Sequence, residues 1–220
     1  MRGRKTRRHA PAMLTLLLAL TGCVNLDPPA NPTRYYVLGR TELGQKQRTE
    51  TPTLGGYRIG IRRAQVAEYL DTPLIVTRLG TNEVAFAEYH RWGEDVGRGI
   101  ERALATYLIA DPSVRRADVV PWPAGVTPAY VVQINVERFE GEAVGQDGDA
   151  KNPYAALGYA RFLATWEILD EDDLLLRRGT IDFTQDKWLV GNHQQLVTFL
   201  DLGVEQLSKD LLRAIRELAR

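Results

Sequence analysis

Two stretches of the chain carry a helical stripe of apolar residues. Over residues 92–109, Trp92, Val96, Ile100, Ala103, Leu104, Tyr107 and Leu108 recur at steps of three and four. That period predicts an amphipathic helix with one buried face. Glu94 and Arg98 are spaced to pair on its outer side, and Asp111-Pro112 marks its end. From His193, a second stripe of Leu196, Leu200, Val204, Leu207, Leu211, Ile215 and Leu218 runs for about six turns. Asn192 stands in the N-cap position, with Gln195 three residues on, as in a capping box.

The remaining pattern has period two. Tyr130, Val132, Ile134 and Val136 alternate with Gln133, Asn135 and Glu137, and Ala160, Phe162, Ala164, Trp166 and Ile168 alternate with Arg161, Thr165 and Glu167. Both read as strands with one face buried. Shorter strands are predicted at 35–38, 57–61, 74–78, 84–89 and 118–120, with a turn at Gly80-Thr81-Asn82. A strand at 174–183 follows the acidic turn 170–173. Residues 66–70 have no clear period and Pro73 interrupts them; 39–56 and 141–152 are polar, glycine-containing loops. There is no internal repeat or heptad. This order predicts a single-domain α+β fold: a mostly antiparallel or mixed β-sheet with two long amphipathic helices packed on one face.

Neither period describes the N-terminus. Arg2, Arg4, Lys5, Arg7 and Arg8 precede an apolar run at 12–20 that is too short to span a bilayer. Leu20-Thr21-Gly22-Cys23 follows, and Cys23 is the only cysteine. The arrangement reads as a signal peptide with a bacterial lipobox, in which cleavage leaves an acylated cysteine at the new N-terminus. The alternative is an ordinary secretion signal followed by an incidental cysteine. The predicted division is 1–22 signal peptide, 23–33 lipidated proline-rich tether and 34–220 periplasmic domain. Val24 follows Cys23 where inner-membrane retention is associated with aspartate, which points to the outer membrane. Two or three acyl chains, palmitate among them, anchor far more durably than one.

Charge narrows the partners. The chain has 28 basic and 28 acidic residues, and losing the five basic residues of the signal leaves a net charge of −5. That sign argues against nucleic acid and against a polybasic lipid-binding patch. The catalytic inventory is empty: no GxSxG elbow, P-loop or GxGxxG occurs. His90 and His193 are far apart in sequence and lack metal-ligand spacing, so no metal or cofactor is expected; His193 reads as a surface residue. Asp147-Gly148-Asp149 and the 170–173 run read as turns rather than calcium sites. Gly93, Gly97 and Gly99 read as close-packing positions in the first helix. Trp122 and Trp188 are either exposed anchors or buried core edges.

Several of these pieces together resemble a known family. Tyr35-Tyr36-Val37-Leu38 after a lipobox cysteine, the run Tyr69-Leu70-Asp71-Thr72-Pro73-Leu74-Ile75-Val76-Thr77-Arg78, Asn82, Arg91-Trp92-Gly93-Glu94-Asp95, and Glu137-Arg138-Phe139 are similar to the PqiC/YmbA-type lipoproteins. These are the ABC-type transport auxiliary lipoproteins of MCE-domain systems. Asp95 and Gly93 depart from the family's proline and alanine at those positions. The resemblance implies a non-catalytic outer-membrane lipoprotein facing the periplasm. It would dock the end of an MCE-domain tube in intermembrane lipid transport, with a homo-oligomeric ring as a further implication. A structural or assembly lipoprotein that binds another periplasmic protein is the alternative reading. Cys23, as the lipidation site, is the one functional residue the sequence names.

Overall fold

A computed structural model of the protein describes residues 31–39, 55–143 and 157–220. Cys23, the tether as far as residue 30, the 147–149 turn, and most of the two predicted loops lie outside the described residues. The chain divides at Pro32 into two units; the second, Thr33–Arg220, carries every element described below.

Strand β7 (Tyr130–Ala143) is the spine of a mixed sheet that has nine strands among the described residues. Along one edge it pairs antiparallel with β8 (Leu157–Leu169), which pairs antiparallel with β9 (Leu175–Leu189). Along the other edge three short strands follow one another end to end, all parallel to β7: β2 (Tyr57–Ile61), β3 (Gln65–Val66) and β4 (Leu74–Arg78). The sheet therefore forks. Beyond β2 lies β6 (Val114–Val119), and beyond β4 lie β5 (Val84–Trp92) and then β1 (Arg34–Tyr36).

A bulge at Glu137 divides β7. Val136 pairs with Ala164 and Arg138 with Leu163, so Glu137 is an extra residue. The inward set consequently changes parity, from Val132, Ile134 and Val136 to Phe139, Gly141 and Ala143. One inserted residue moves every later side chain to the other face, so the bulge keeps Phe139 inside against Phe162 at a ring distance of 5.2 Å. Strand β8 alternates without interruption, burying Ala160, Phe162, Ala164, Trp166 and Ile168.

Helix α1 (Val96–Ile109) and helix α2 (His193–Leu218) cover that inner face with their apolar stripes. Gly203 lets α2 approach closely: a Cβ there would stand 2.9 Å from Phe183 and 3.1 Å from Phe162. Between the helices, buried Asp201 accepts hydrogen bonds from Tyr107 Oη at 2.5 Å and from the Gly39 amide at 2.8 Å. Buried Glu101 accepts from the Ala64 amide at 2.8 Å. Each carboxylate satisfies a donor that folding removes from water.

The α+β class and both helices agree with the sequence pattern, while several boundaries move. Helix α1 begins at Val96; Trp92 closes β5, and Gly93 lies between the two. A Cβ on Gly97 or Gly99 would stand 3.5 Å from Ala64 and Val66 or from Leu38, which is ordinary contact, so of the three glycines only Gly93, ahead of the helix, packs too closely for a side chain. Glu94 pairs with Arg102, and Arg98 with Glu101, in place of the expected Glu94–Arg98 pair. The 66–70 stretch splits into the end of β3 and a 3-10 turn at Glu68–Leu70.

Candidate functional site

The two most distinctive sequence runs, 69–78 and 91–95, converge in space. Backbone bonds bring them together: the Trp92 amide donates to Pro73 O at 2.8 Å, and the Gly93 amide to Tyr36 O at 2.7 Å. A Cβ on Gly93 would approach Val37 to 2.9 Å, so the small residue keeps β1 close to this junction. An open cleft of about 370 Å³ lies here, lined by Asp71, Thr72, Pro73, Trp92, Gly93, Glu94 and Asp95. Its floor is apolar, from Pro73 and buried Trp92, whose ring lies 5.8 Å from Phe139. Its rim carries three carboxylates. Asp95 accepts from the Arg98 amide at 2.9 Å and so caps α1. Glu94 is bound to Arg102 at 2.5 Å, while Asp71 is exposed to solvent.

The two ends of the 69–78 run, Tyr69 and Arg78, meet Glu140 of β7 on the face of the sheet away from the helices. Arg78 Nε donates to Glu140 Oε1 at 2.6 Å, and the Glu140 side chain is wholly buried. Arg78 also donates to Tyr69 Oη at 3.3 Å, and Tyr69 Oη donates to Glu137 O at 3.0 Å. The tyrosine thus satisfies the carbonyl of the bulged residue. Burial, and secondly the adjacent Glu140 carboxylate, push the Tyr69 hydroxyl up to about 12. Burial works against the Arg78 charge, but the bond to Glu140 outweighs it and raises that guanidinium further. Both shifts keep the Tyr69 hydroxyl and the Arg78 guanidinium protonated at neutral pH. The network holds the 69–78 run against β7.

The two histidines, far apart in sequence, are not isolated. His90 and His193 stack with ring centroids 3.9 Å apart, and Tyr36 Oη is 2.8 Å from His90 Nδ1. The expectation of a surface His193 is corrected: it is half-buried where the start of α2 meets β5. Burial first, and His90 second, lower its pKa to about 4. Burial, then Arg34, lowers that of His90. Among the described residues, no group of three or more His, Cys, Asp and Glu could hold a metal ion. The 170–173 run is a turn, with Asp170 Oδ1 accepting from the amides of Asp172 and Leu174. Trp188 is fully buried, and Trp122 is half-buried against Gly60. Both are parts of the packing.

The sequence named Tyr69, Arg78 and the Trp92 group but could not place Glu140, which is one more charged residue on an alternating strand. Its burial follows from the register of β4 on β7.

Solved structures share this fold. A protein from Xanthomonas campestris, XCC0632, superposes with a TM-score of 0.59 at 14% identity, over 81% of this chain and 92% of its own. An uncharacterized protein gives a TM-score of 0.57 at 17% identity, over 83% and 98%. No curated protein matches the sequence. The model of one family matches residues 36–211, a span that includes both cleft-lining runs and the Tyr69–Arg78–Glu140 network. The chain therefore belongs to the ABC-type transport auxiliary lipoprotein component family.

Proposed function

We propose that this protein is a non-catalytic accessory of an MCE/ABC-type intermembrane lipid transport system, anchored to the outer membrane through Cys23. In this reading the periplasmic domain receives the end of an MCE-domain tube. The carrying observation is the cleft between 71–73 and 92–95, with its apolar floor and acidic rim. Such a surface offers an anchor position for a partner side chain inside a polar rim. Self-association into a ring around the tube's end belongs to the same reading, and mass measurement of the detergent-solubilised full-length protein tests it: a monomer rejects the ring.

Co-purification from membranes tests the main proposal. The wild-type chain should bring down an MCE-domain protein, and Cys23→Ala should lose it together with the membrane anchor. Asp71→Arg reverses charge on the exposed rim without touching Tyr69, Arg78 or Glu140. It should keep the wild-type melting profile and capture several-fold less partner. Failure of the wild type to capture an MCE-domain protein rejects the function; undiminished capture by Asp71→Arg rejects the cleft.

A further inference from the structure

The nine large apolar side chains exposed among the described residues fall mainly in two groups, one of them on β8, β9 and the turn between. Four of them, Tyr35, Val37, Phe86 and Tyr89, fall on β1 with the residue after it and on β5, with exposures of 65, 61, 47 and 44%. β1 is also an outer edge of the sheet. Its inward residues, Tyr36 and Leu38, are buried, so Tyr35 and Val37 form the alternate, outward set. Tyr35 is in register with Arg91, which adds a guanidinium group to this outward set, whereas Arg34 alternates to the side of Tyr36 and His90. Glu88, beside Tyr89, is the acid within these two strands.

We infer that this edge is a membrane-contact surface, resting at headgroup depth on the phospholipid leaflet that holds the lipid anchor. The inference rests on the lipoprotein reading of Cys23. Ten residues separate Cys23 from Arg34, so the chain reaches at most about 40 Å from anchor to β1 over the eleven steps between them. β1 is therefore the part of the sheet that the tether holds nearest the bilayer along the chain. Tyrosine and arginine with scattered apolar side chains suit the interface, where rings and guanidinium groups meet headgroups. Water remains at that depth to bond the free backbone edge of β1, which the hydrocarbon core would not allow.

A second copy of the chain fits this edge less well. A fully buried aromatic side chain covers about 150–250 Å², so four half-exposed side chains offer roughly 400 Å². That is about half of one partner's share in a standard interface, and a three-residue edge strand supplies little pairing.

Site-directed spin labelling of the full-length lipidated protein tests the inference, in vesicles of phosphatidylethanolamine with phosphatidylglycerol. A nitroxide is attached at Val37→Cys or, for comparison, at Leu174→Cys. Leu174 is exposed in the β8–β9 turn, which the register places at the opposite end of β7 from β4 and its neighbours. The 37 label should collide with a water-soluble nickel chelate several-fold less than the 174 label, while remaining open to membrane-dissolved oxygen. Equal nickel access at both positions overturns the inference. Shielding of the 37 label from nickel and oxygen alike also overturns it, because a protein surface then covers the edge. Intact mass on the same samples reports acylation of Cys23. A chain without acyl mass defeats the lipoprotein reading itself, whereas an acylated chain with an open 37 label defeats only the membrane contact.

Discussion

Glu140 shows how a single residue can take its meaning from neighbours that the linear pattern does not reveal. Its carboxylate is buried and bonded to Arg78, which in turn meets Tyr69. Removing one partner of such a pair leaves a buried charge, at a cost of about 3–5 kcal/mol. Arg78→Met should therefore lower stability by that order in urea unfolding, and adding Glu140→Leu should recover a large part. If the double variant is no more stable than the single one, the pair is not what positions this run. The stacked histidines give a second expectation. His193 has an ordinary value of 6.5 and a folded value of about 4. Above pH 6.5 neither state is protonated there, so the site contributes no pH dependence. As pH falls toward 4, the unfolded chain takes up a proton that the folded one refuses, and stability drops. His193→Gln should thus lose less stability than wild type between pH 7 and pH 4.5, measured as urea midpoints. Equal losses would refute the assignment.

At the scale of elements, local signals succeeded where they were self-contained. Helix α2 is capped by Asn192, whose side chain accepts from the Gln195 amide, and its stripe is buried as the period required. The capping box is only half formed, because the Gln195 side chain turns to Leu189 and Lys187 instead. Helix α1 starts one turn later than its apolar stripe. Trp92 has the right phase for the stripe, yet its amide is claimed by Pro73 and Asp95 provides the cap. Asp95→Ala should cost about 1 kcal/mol of stability in urea unfolding. An unchanged midpoint would mean that the helix start is fixed by packing alone. The β7 bulge was not legible either. Alternation simply stops at Val136, and only pairing with β8 shows that the strand continues on the other parity. Tyr69 meets the bulge carbonyl, so Tyr69→Phe should cost about 1 kcal/mol by the same measurement.

The whole molecule is organised around β7, with β2, β3 and β4 set along one edge and β8 and β9 beyond the other. All the buried apolar residues described in Thr33–Arg220 except Val131 and Leu169 form one connected core reaching from Tyr36 to Ile215. One core predicts one transition: tryptophan fluorescence and far-ultraviolet circular dichroism should coincide through urea unfolding. Separated curves would show that the two branches of the forked sheet unfold independently. By itself, the sequence determined the α+β class, both helical stripes, the alternation of the long strands and the family resemblance. These rest on local period and short motifs, which a chain carries wherever it folds. Only the tertiary structure decided that 69–78 and 91–95 share a cleft, that Glu140 is buried, and that His90 meets His193. Those outcomes depend on the parallel pairing of β4 with β7 and on the docking of α2 near β5. Such contacts join residues far apart in the chain, and no local pattern records their register.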